Sequence, residues 1–137
     1  MKLADDNYVI VLPCSGIGKA FGSVGREAMY LITEEMRPDV TDTVCLSLLT
    51  LGDEEAQELV RTHPVLTIDG CPSACAVASV EAAGADPAAT FRVFDVFRRH
   101  RDLRVRQIAD IGENGRRMAE ILADDVVEEI DRIREDK

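Results

Sequence analysis

The sequence predicts one α/β domain: a small, open, mainly parallel sheet with helices packed on both faces, in a Rossmann-like three-layer arrangement. Two observations lead to this prediction. Short apolar runs, several of them β-branched, alternate along the chain with segments of helical periodicity, as is typical of parallel sheets. The chain has 137 residues, of which 46% are hydrophobic, so it can bury one core but is too short for two domains. Residues 1–137 are therefore predicted to form a single domain.

The first part of the chain is predicted to alternate strand, helix and strand. Residues 8–13 are rich in β-branched side chains and predict a buried strand. A helix follows, because apolar residues recur at three- and four-residue steps from Phe21 to Ile32 and Pro38 cannot continue a helix. Residues 43–51 are apolar but too few to assign by periodicity. We interpret them as a buried strand, with a short helix as the alternative.

The middle of the chain predicts a helix, a strand and a second helix. Asp53 is a suitable N-cap for a polar helix that ends near His63, before Pro64. Residues 65–70 form a third apolar run with a glycine at its exit, which predicts a strand. A small-residue helix is then predicted to begin at Cys71-Pro72, because proline is favourable at the first helical position.

The last third of the chain predicts a strand and a long helix. Residues 91–97 alternate apolar and polar side chains, the pattern of a strand with one solvated face near a sheet edge. Residues 113–135 carry one apolar stripe at helical spacing and predict a C-terminal helix.

The charge balance disfavours some classes of partner. Against 16 Lys and Arg stand 26 Asp and Glu, giving a net charge of -10, so nucleic acid and anionic membranes are not expected partners. Asp5 and Asp6 stand where a signal peptide would carry positive charge, and we expect a cytoplasmic protein. Residues 92–106 are the exception, with six arginines against two aspartates. This segment predicts docking to an acidic protein or to the acidic last helix of a neighbouring subunit in a homo-oligomer, with a solvated surface as the alternative.

The four cysteines are the strongest chemical signal. Clustered cysteines in a reducing compartment favour metal binding or redox chemistry over a disulfide framework. Cys71 and Cys75 have the spacing of paired zinc ligands and are predicted to share the first turn of a helix, where the positive end of the helix dipole favours the thiolate. Cys14 follows the first strand in the same way. Both strand exits lie at the carboxyl edge of the predicted sheet, where such folds place their sites.

Cys45 supplies a fourth thiol, although a small buried side chain is an equal alternative for it. The candidate metal ligands are therefore Cys14, Cys45, Cys71 and Cys75, and the expected cofactor is one zinc ion. Four engaged thiolates would close the site, which favours a structural or metal-handling role. Three would leave a position open for a metal-activated water, and an enzyme would then be the alternative. An iron-sulfur cluster or thiol redox chemistry is a further alternative, because four thiolates also suit such clusters.

Two further signals lie beside the strand exits. The glycines from Gly16 to Gly22 do not match a phosphate-binding motif, and we expect them to let the first helix pack closely on the sheet. Asp69 is expected to orient the Cys71 loop by accepting a backbone N-H, or to support a metal ligand, with a simple turn former as the alternative.

The segment Ile-Asp-Gly-Cys-Pro-Ser-Ala-Cys-Ala over residues 68–76, together with residues 12–16 and 44–46, resembles the DGC domain family of zinc-binding proteins. The family takes its name from the central Asp-Gly-Cys. The resemblance covers roughly residues 8–112, ahead of the C-terminal helix. It implies four potential metal-chelating cysteines, which correspond here to Cys14, Cys45, Cys71 and Cys75. It implies no reaction.

Overall fold

The computed structural model describes residues 8–14, 20–70, 74–105 and 110–135. Within them, four strands form one sheet: β1 (Val9–Pro13), β2 (Thr41–Asp42), β3 (Val65–Asp69) and β4 (Ala89–Arg92). The strands are all parallel and lie in the order β2-β1-β3-β4. The predicted open parallel sheet is therefore confirmed.

Six α-helices connect and follow these strands in the described part of the chain: α1 (Ala20–Tyr30), α2 (Leu46–Thr50), α3 (Glu54–Thr62), α4 (Cys75–Ala82), α5 (Val93–Arg99) and α6 (Gly112–Glu135). A π-helical turn, Leu31–Met36, prolongs α1 and ends where the Arg37 N-H donates to the Ile32 carbonyl at 2.8 Å. The helix predicted from Phe21 to Pro38 is thus present, with a wider last turn. None of the helices in the described residues is both long enough and apolar enough to cross a membrane.

The helices cover the sheet on both faces. On one face α1, α5 and α6 bury Val24, Val93 and Leu122 against Val11 and Ile68 of the central strands. On the other face α2, α3 and α4 bury a second set of side chains against β1 and β3, among them Leu49, Val60 and Val80. Because β1 and β3 are covered on both sides, every residue in them is buried, which explains why β1 is apolar throughout and why β3 is apolar except at Thr67 and Asp69. The three-layer prediction is confirmed.

The strand predicted over residues 43–51 is wrong. The strand in this region, β2, spans two residues before that segment, and residues 46–50 form the short helix that was the alternative. Only Val44 and Leu49 of the segment are buried, whereas Leu48 and Leu51 are exposed. A central strand would have to bury all of its apolar side chains, so this burial pattern fits a single helical turn lying over the sheet.

The strand predicted over residues 91–97 is correct only at its start. β4 lies at the sheet edge as expected, but it ends at Arg92 and α5 begins at Val93. Val93 and Val96 are buried one helical turn apart. The alternation of apolar and polar residues stops at Val93, and the sequence beyond it is compatible with either a strand or a helix. The helix is favoured because it buries both Val93 and Val96 against the sheet.

The long C-terminal helix is confirmed and carries the ion pair with the best geometry in the described chain. Met118, Leu122 and Ile130 of α6 are fully buried in the core. On its outer side, Asp131 accepts two parallel hydrogen bonds from Arg37, at 3.0 Å from Nε and 2.8 Å from Nη2. This bidentate contact lowers the pKa of the Asp131 carboxyl and ties the end of the π-helical turn to α6.

Replacement of Asp131 by Asn should cost about 0.5 kcal/mol of unfolding free energy at neutral pH, since both partners are partly solvent-exposed and their attraction is screened. The folded carboxyl has the lower pKa, so the stabilisation exists above the unfolded pKa and is lost as the pH falls through the folded pKa. Urea unfolding from pH 7 to pH 3 should show the two proteins converging in acid. Asp124→Asn on the same helix is the matched control, and an equal effect of both substitutions would contradict the prediction.

Candidate metal centre

The chain diverges at the exits of β1 and β3, at the carboxyl edge of the sheet. The two strands are neighbours, yet the chain leaves β1 towards α1 on one face and leaves β3 towards α4 on the opposite face. Divergent connections from adjacent parallel strands define the place where open α/β sheets bind their ligands. Cys14 directly follows β1, and Gly70 directly follows β3.

Cys14 is buried, and its thiol points towards the exit of β3. Its N-H donates to the Ile68 carbonyl at 2.9 Å, which continues the strand pairing, and its Sγ accepts a hydrogen bond from the Gly70 N-H at 3.3 Å. A donor aimed at sulfur stabilises the thiolate form. Because Gly70 immediately precedes Cys71, the sulfur of Cys14 lies at the start of the predicted ligand loop. Cys71 itself lies outside the described residues.

Glycine is the only residue type that fits at position 70, between β3 and α1. A Cβ on Gly70 would lie 2.5 Å from the Gly22 nitrogen and 2.7 Å from the Gly22 Cα. These are backbone atoms of the first turn of α1, and they have no free rotation by which to move aside. The central glycine of the Asp-Gly-Cys sequence therefore allows the helix after Cys14 to touch the exit of β3. The expected close packing of the first helix is confirmed at Gly22.

Asp69 connects the end of β3 to the start of α4. Its buried carboxylate accepts hydrogen bonds from the Ala76 N-H at 2.8 Å and the Val77 N-H at 3.4 Å. Burial raises the pKa of this carboxyl, while the two amides act in the opposite direction. The expectation that Asp69 accepts a backbone N-H is confirmed, with donors in α4. Asp69 thus caps the amino end of α4, although it lies five residues before the N-cap residue, Ala74.

The helix predicted to begin at Cys71-Pro72 begins at Cys75 instead. Ala74 precedes it with a left-handed backbone, at φ 51° and ψ 52°, which a continuous helix cannot contain. The capping bonds from Asp69 reach Ala76 and Val77 and so fix the first turn at this later position. Cys75 is the first helical residue and its side chain is exposed.

Cys45 is exposed, so the interpretation of this thiol as a small buried side chain is wrong. Its neighbour Val44 is the buried residue. Cys45 is the N-cap of α2, and although its sulfur makes no full capping hydrogen bond, the amides of Leu48 and Ser47 lower the pKa of the thiol. Because α2 packs against α4, Cys45 and Cys75 begin two neighbouring helices.

The described cysteines are connected to one buried cluster on one face of the sheet. Cys14 belongs to the same buried cluster as Val44 and Ala76, the residues adjacent to Cys45 and Cys75. Across the described ranges, however, no three His, Cys, Asp or Glu side chains are gathered closely enough to hold a metal ion. The structure thus relates Cys14, Cys45 and Cys75 only through the residues beside them, and it shows no ligand set formed by these three thiols.

Diverging connections at the carboxyl edge of the sheet, with Cys14 at the exit of β1, define a small parallel α/β protein that carries a thiol where such folds bind their ligands. The family model of the DGC domain matches residues 10–128, and the chain belongs to the DGC domain family. This match extends beyond the expected end at residue 112 and includes most of α6. No curated protein and no solved structure matches the chain.

Replacement of Gly70 by Ala should destabilise the fold by about 3 kcal/mol, as expected when a new methyl group is forced against backbone. Gly52→Ala is a suitable control, because Gly52 has open space around it and only its φ of 85° opposes a side chain. That control should lose about 1 kcal/mol. Denaturant unfolding of the two variants measures the difference, and a Gly70→Ala protein as stable as Gly52→Ala would disprove the close approach.

Replacement of Asp69 by Ala should cost about 1 to 2 kcal/mol, because the α4 amides lose their buried acceptor. Asp69→Asn should cost less, since its amide oxygen can still accept from Ala76. Thermal unfolding of metal-free protein tests this order. If Asn and Ala at position 69 were equally destabilising, the capping role would have to be abandoned.

Proposed function

We propose that this protein binds one zinc ion through the thiolates of Cys14, Cys45, Cys71 and Cys75, and that it acts in the cytoplasm in a structural or metal-handling role. The observation that carries the proposal is the 3.3 Å hydrogen bond from the Gly70 N-H to the Cys14 sulfur. It puts one candidate ligand one residue away from the Cys-x3-Cys segment, although the two are far apart in sequence.

The chemistry of the donors fits zinc. Zinc in structural sites prefers four thiolate or imidazole ligands in tetrahedral geometry. Four thiolates around a divalent ion leave a formal charge of about -2, which the amino ends of helices can partly offset. Cys45 and Cys75 occupy such positions at α2 and α4, and the pKa of the Cys45 thiol is lowered by the amides of Leu48 and Ser47.

Zinc binding would have to draw the ligands together. Cys14 is held in the core by its backbone and by Gly70, whereas Cys45 and Cys75 are exposed and can change rotamer without disturbing buried contacts. Binding would therefore close the edge of the sheet by joining α2 and α4 to the exits of β1 and β3. Metal affinity and local stability are then linked, as in other thiolate sites.

The exposure of two ligands favours metal handling over a purely structural role. A metal whose ligands include the exposed Cys45 and Cys75 can be reached by an incoming thiol from a partner or a chelator. A competing thiolate can then replace one ligand at a time, which is the ordinary route of zinc transfer between proteins. With all four positions taken by protein, hydrolysis by a metal-bound water is not favoured.

Anaerobically purified wild-type protein should contain about one zinc per chain, with a tetrahedral all-sulfur site, as four-thiolate sites show. Cys→Ser at each of the four positions should remove most of the metal, whereas Thr43→Ser, an equally small change at an exposed position beside Cys45, should not. Elemental analysis and X-ray absorption at the zinc edge measure content and ligands.

The same preparation separates the alternatives. A visible absorption band with bound iron would assign the cysteines to an iron-sulfur cluster. Full zinc content in Cys45→Ser, with loss in the other three variants, would indicate a three-ligand site with an open position and would revive the enzyme alternative. Equal metal content in wild type and all four variants would rule out the proposal.

A further inference from the structure

The surface formed by α2 and the start of α3 combines apolar side chains, carboxylates and one of the proposed zinc ligands. Leu48 and Leu51 are 47% and 82% exposed, and they lie on one side of α2 because they are three residues apart. Cys45 lies three residues before Leu48 and is also exposed. The α2 face is defined here as Cys45, Leu48, Leu51, Glu54 and Glu55.

Backbone hydrogen bonds hold the parts of the α2 face together. The Asp53 N-H donates to the Leu48 carbonyl at 3.0 Å, and the Gly52 N-H donates to the Leu49 carbonyl at 3.2 Å. These two bonds, with the left-handed backbone of Gly52, form a Schellman motif that leads the chain directly from α2 into α3. Asp53 is also the N-cap of α3, so the first turn of α3 with its two glutamates begins beside Leu48. At the other end of the face, the Leu48 amide interacts with the Cys45 thiol and lowers its pKa.

The charges of the α2 face are all negative. Residues 38–60 include six Asp and Glu and neither Lys nor Arg. Glu54 and Glu55 are exposed, and neither forms an ion pair with any described residue. The helix packed beside α2, α4, has one charged residue, Glu81, which is also acidic. Arg61 lies in the last turn of α3, away from this face, where it donates to a backbone carbonyl at the end of α4.

An apolar pair flanked by carboxylates fits a basic protein partner. In protein contact surfaces the apolar centre is buried, and the surrounding charges select the partner and its orientation. Carboxylates repel the phosphates of nucleic acid and of anionic lipid, so they disfavour both as occupants of this face. Lysine or arginine side chains around an apolar recess are the complement of the α2 face.

We infer that the α2 face is the docking surface for a basic partner protein that exchanges zinc with this chain through Cys45. The inference rests on the proposed function and adds the chemistry of the partner and the ligand at which exchange begins. A protein docked on Leu48 and Leu51 would have its own thiolate within reach of Cys45, which lies one helical turn away. One zinc-sulfur bond breaks at Cys45 and one forms at the partner thiolate, so no electron is transferred and no co-reactant is needed.

Zinc transfer from a synthetic donor tests the inference. The donor is a zinc-loaded helical peptide with a pair of cysteines, leucines on one side and arginines elsewhere. A reference donor keeps the cysteines and leucines and has glutamates in place of the arginines. Metal-free full-length protein should take zinc from the basic donor at least about tenfold faster than from the acidic one, and the ratio should fall as added salt screens the attraction.

Charge reversal separates the α2 face from the net charge of the protein. The double variant Glu54→Lys with Glu55→Lys should slow uptake from the basic donor at least about tenfold, because arginines of the donor would meet lysines. Asp124→Lys with Glu128→Lys, at exposed positions of α6, makes the same change in net charge and should slow uptake less than about twofold.

Removal of an apolar side chain tests the other half of the face. Leu51→Ser should slow uptake from the basic donor about tenfold, as expected for the loss of an interface anchor. Tyr30→Ser, at an exposed aromatic residue on α1, is the matched control and should behave like wild type. Each variant should hold as much zinc at equilibrium as wild type, because none of the changed residues is a proposed ligand.

Thermal unfolding of each variant confirms that it is folded before uptake is measured. Equal uptake from the two donors, or equal effects of the charge changes on the α2 face and on α6, would overturn the inference and leave the zinc proposal intact. A wild type that binds no zinc would overturn both. Self-association of wild type in sedimentation velocity that is lost in Leu51→Ser would assign the α2 face to a second copy of the chain and would also overturn the inference.

Discussion

The candidate site depends on the backbone contact between Gly70 and the first turn of α1. β1 and β3 lie side by side and send their helices to opposite faces, so both exits share one narrow edge of the sheet. α1 can settle on its own face only if the residue after β3 has no side chain, because Gly22 occupies that space. The same contact leaves the Gly70 N-H free to meet the Cys14 sulfur. The same contact therefore explains both the packing of α1 at this edge and the hydrogen bond to the Cys14 thiol.

The electrostatics of this edge bear on the proposed zinc site. Asp69 already uses the amides of Ala76 and Val77, so the first turn of α4 has fewer donors left for an anionic ligand. A buried carboxylate whose pKa is raised by desolvation is itself stabilised by nearby positive charge. In the proposed site, a divalent ion would offset the negative charge of the cysteine thiolates and of this nearby carboxylate.

Sequence patterns predicted the correct element where a single physical cause determined which residues of a segment are apolar. β1 and β3 are buried on both faces and are therefore mainly apolar, while α3 has a recognisable N-cap and α6 has a long apolar stripe. Patterns failed for residues 43–51 and 91–97, where short apolar runs fit both strand and helix until tertiary packing decides. The start of α4 depends on a cap from Asp69, a contact that spacing alone cannot reveal. The location of the candidate site at the strand exits could be predicted from the fold class. A metal site made of four cysteine thiolates stays a prediction.

The exposed apolar side chains also follow from the architecture. A long helix such as α6 can bury its whole apolar stripe and present charged residues outward. The short helix α2 buries a single leucine against the sheet and the short helix α5 buries two valines, so neither has a long apolar stripe that could be covered completely. Leu51, which follows α2, and Phe94 of α5 therefore remain exposed on opposite sides of the sheet.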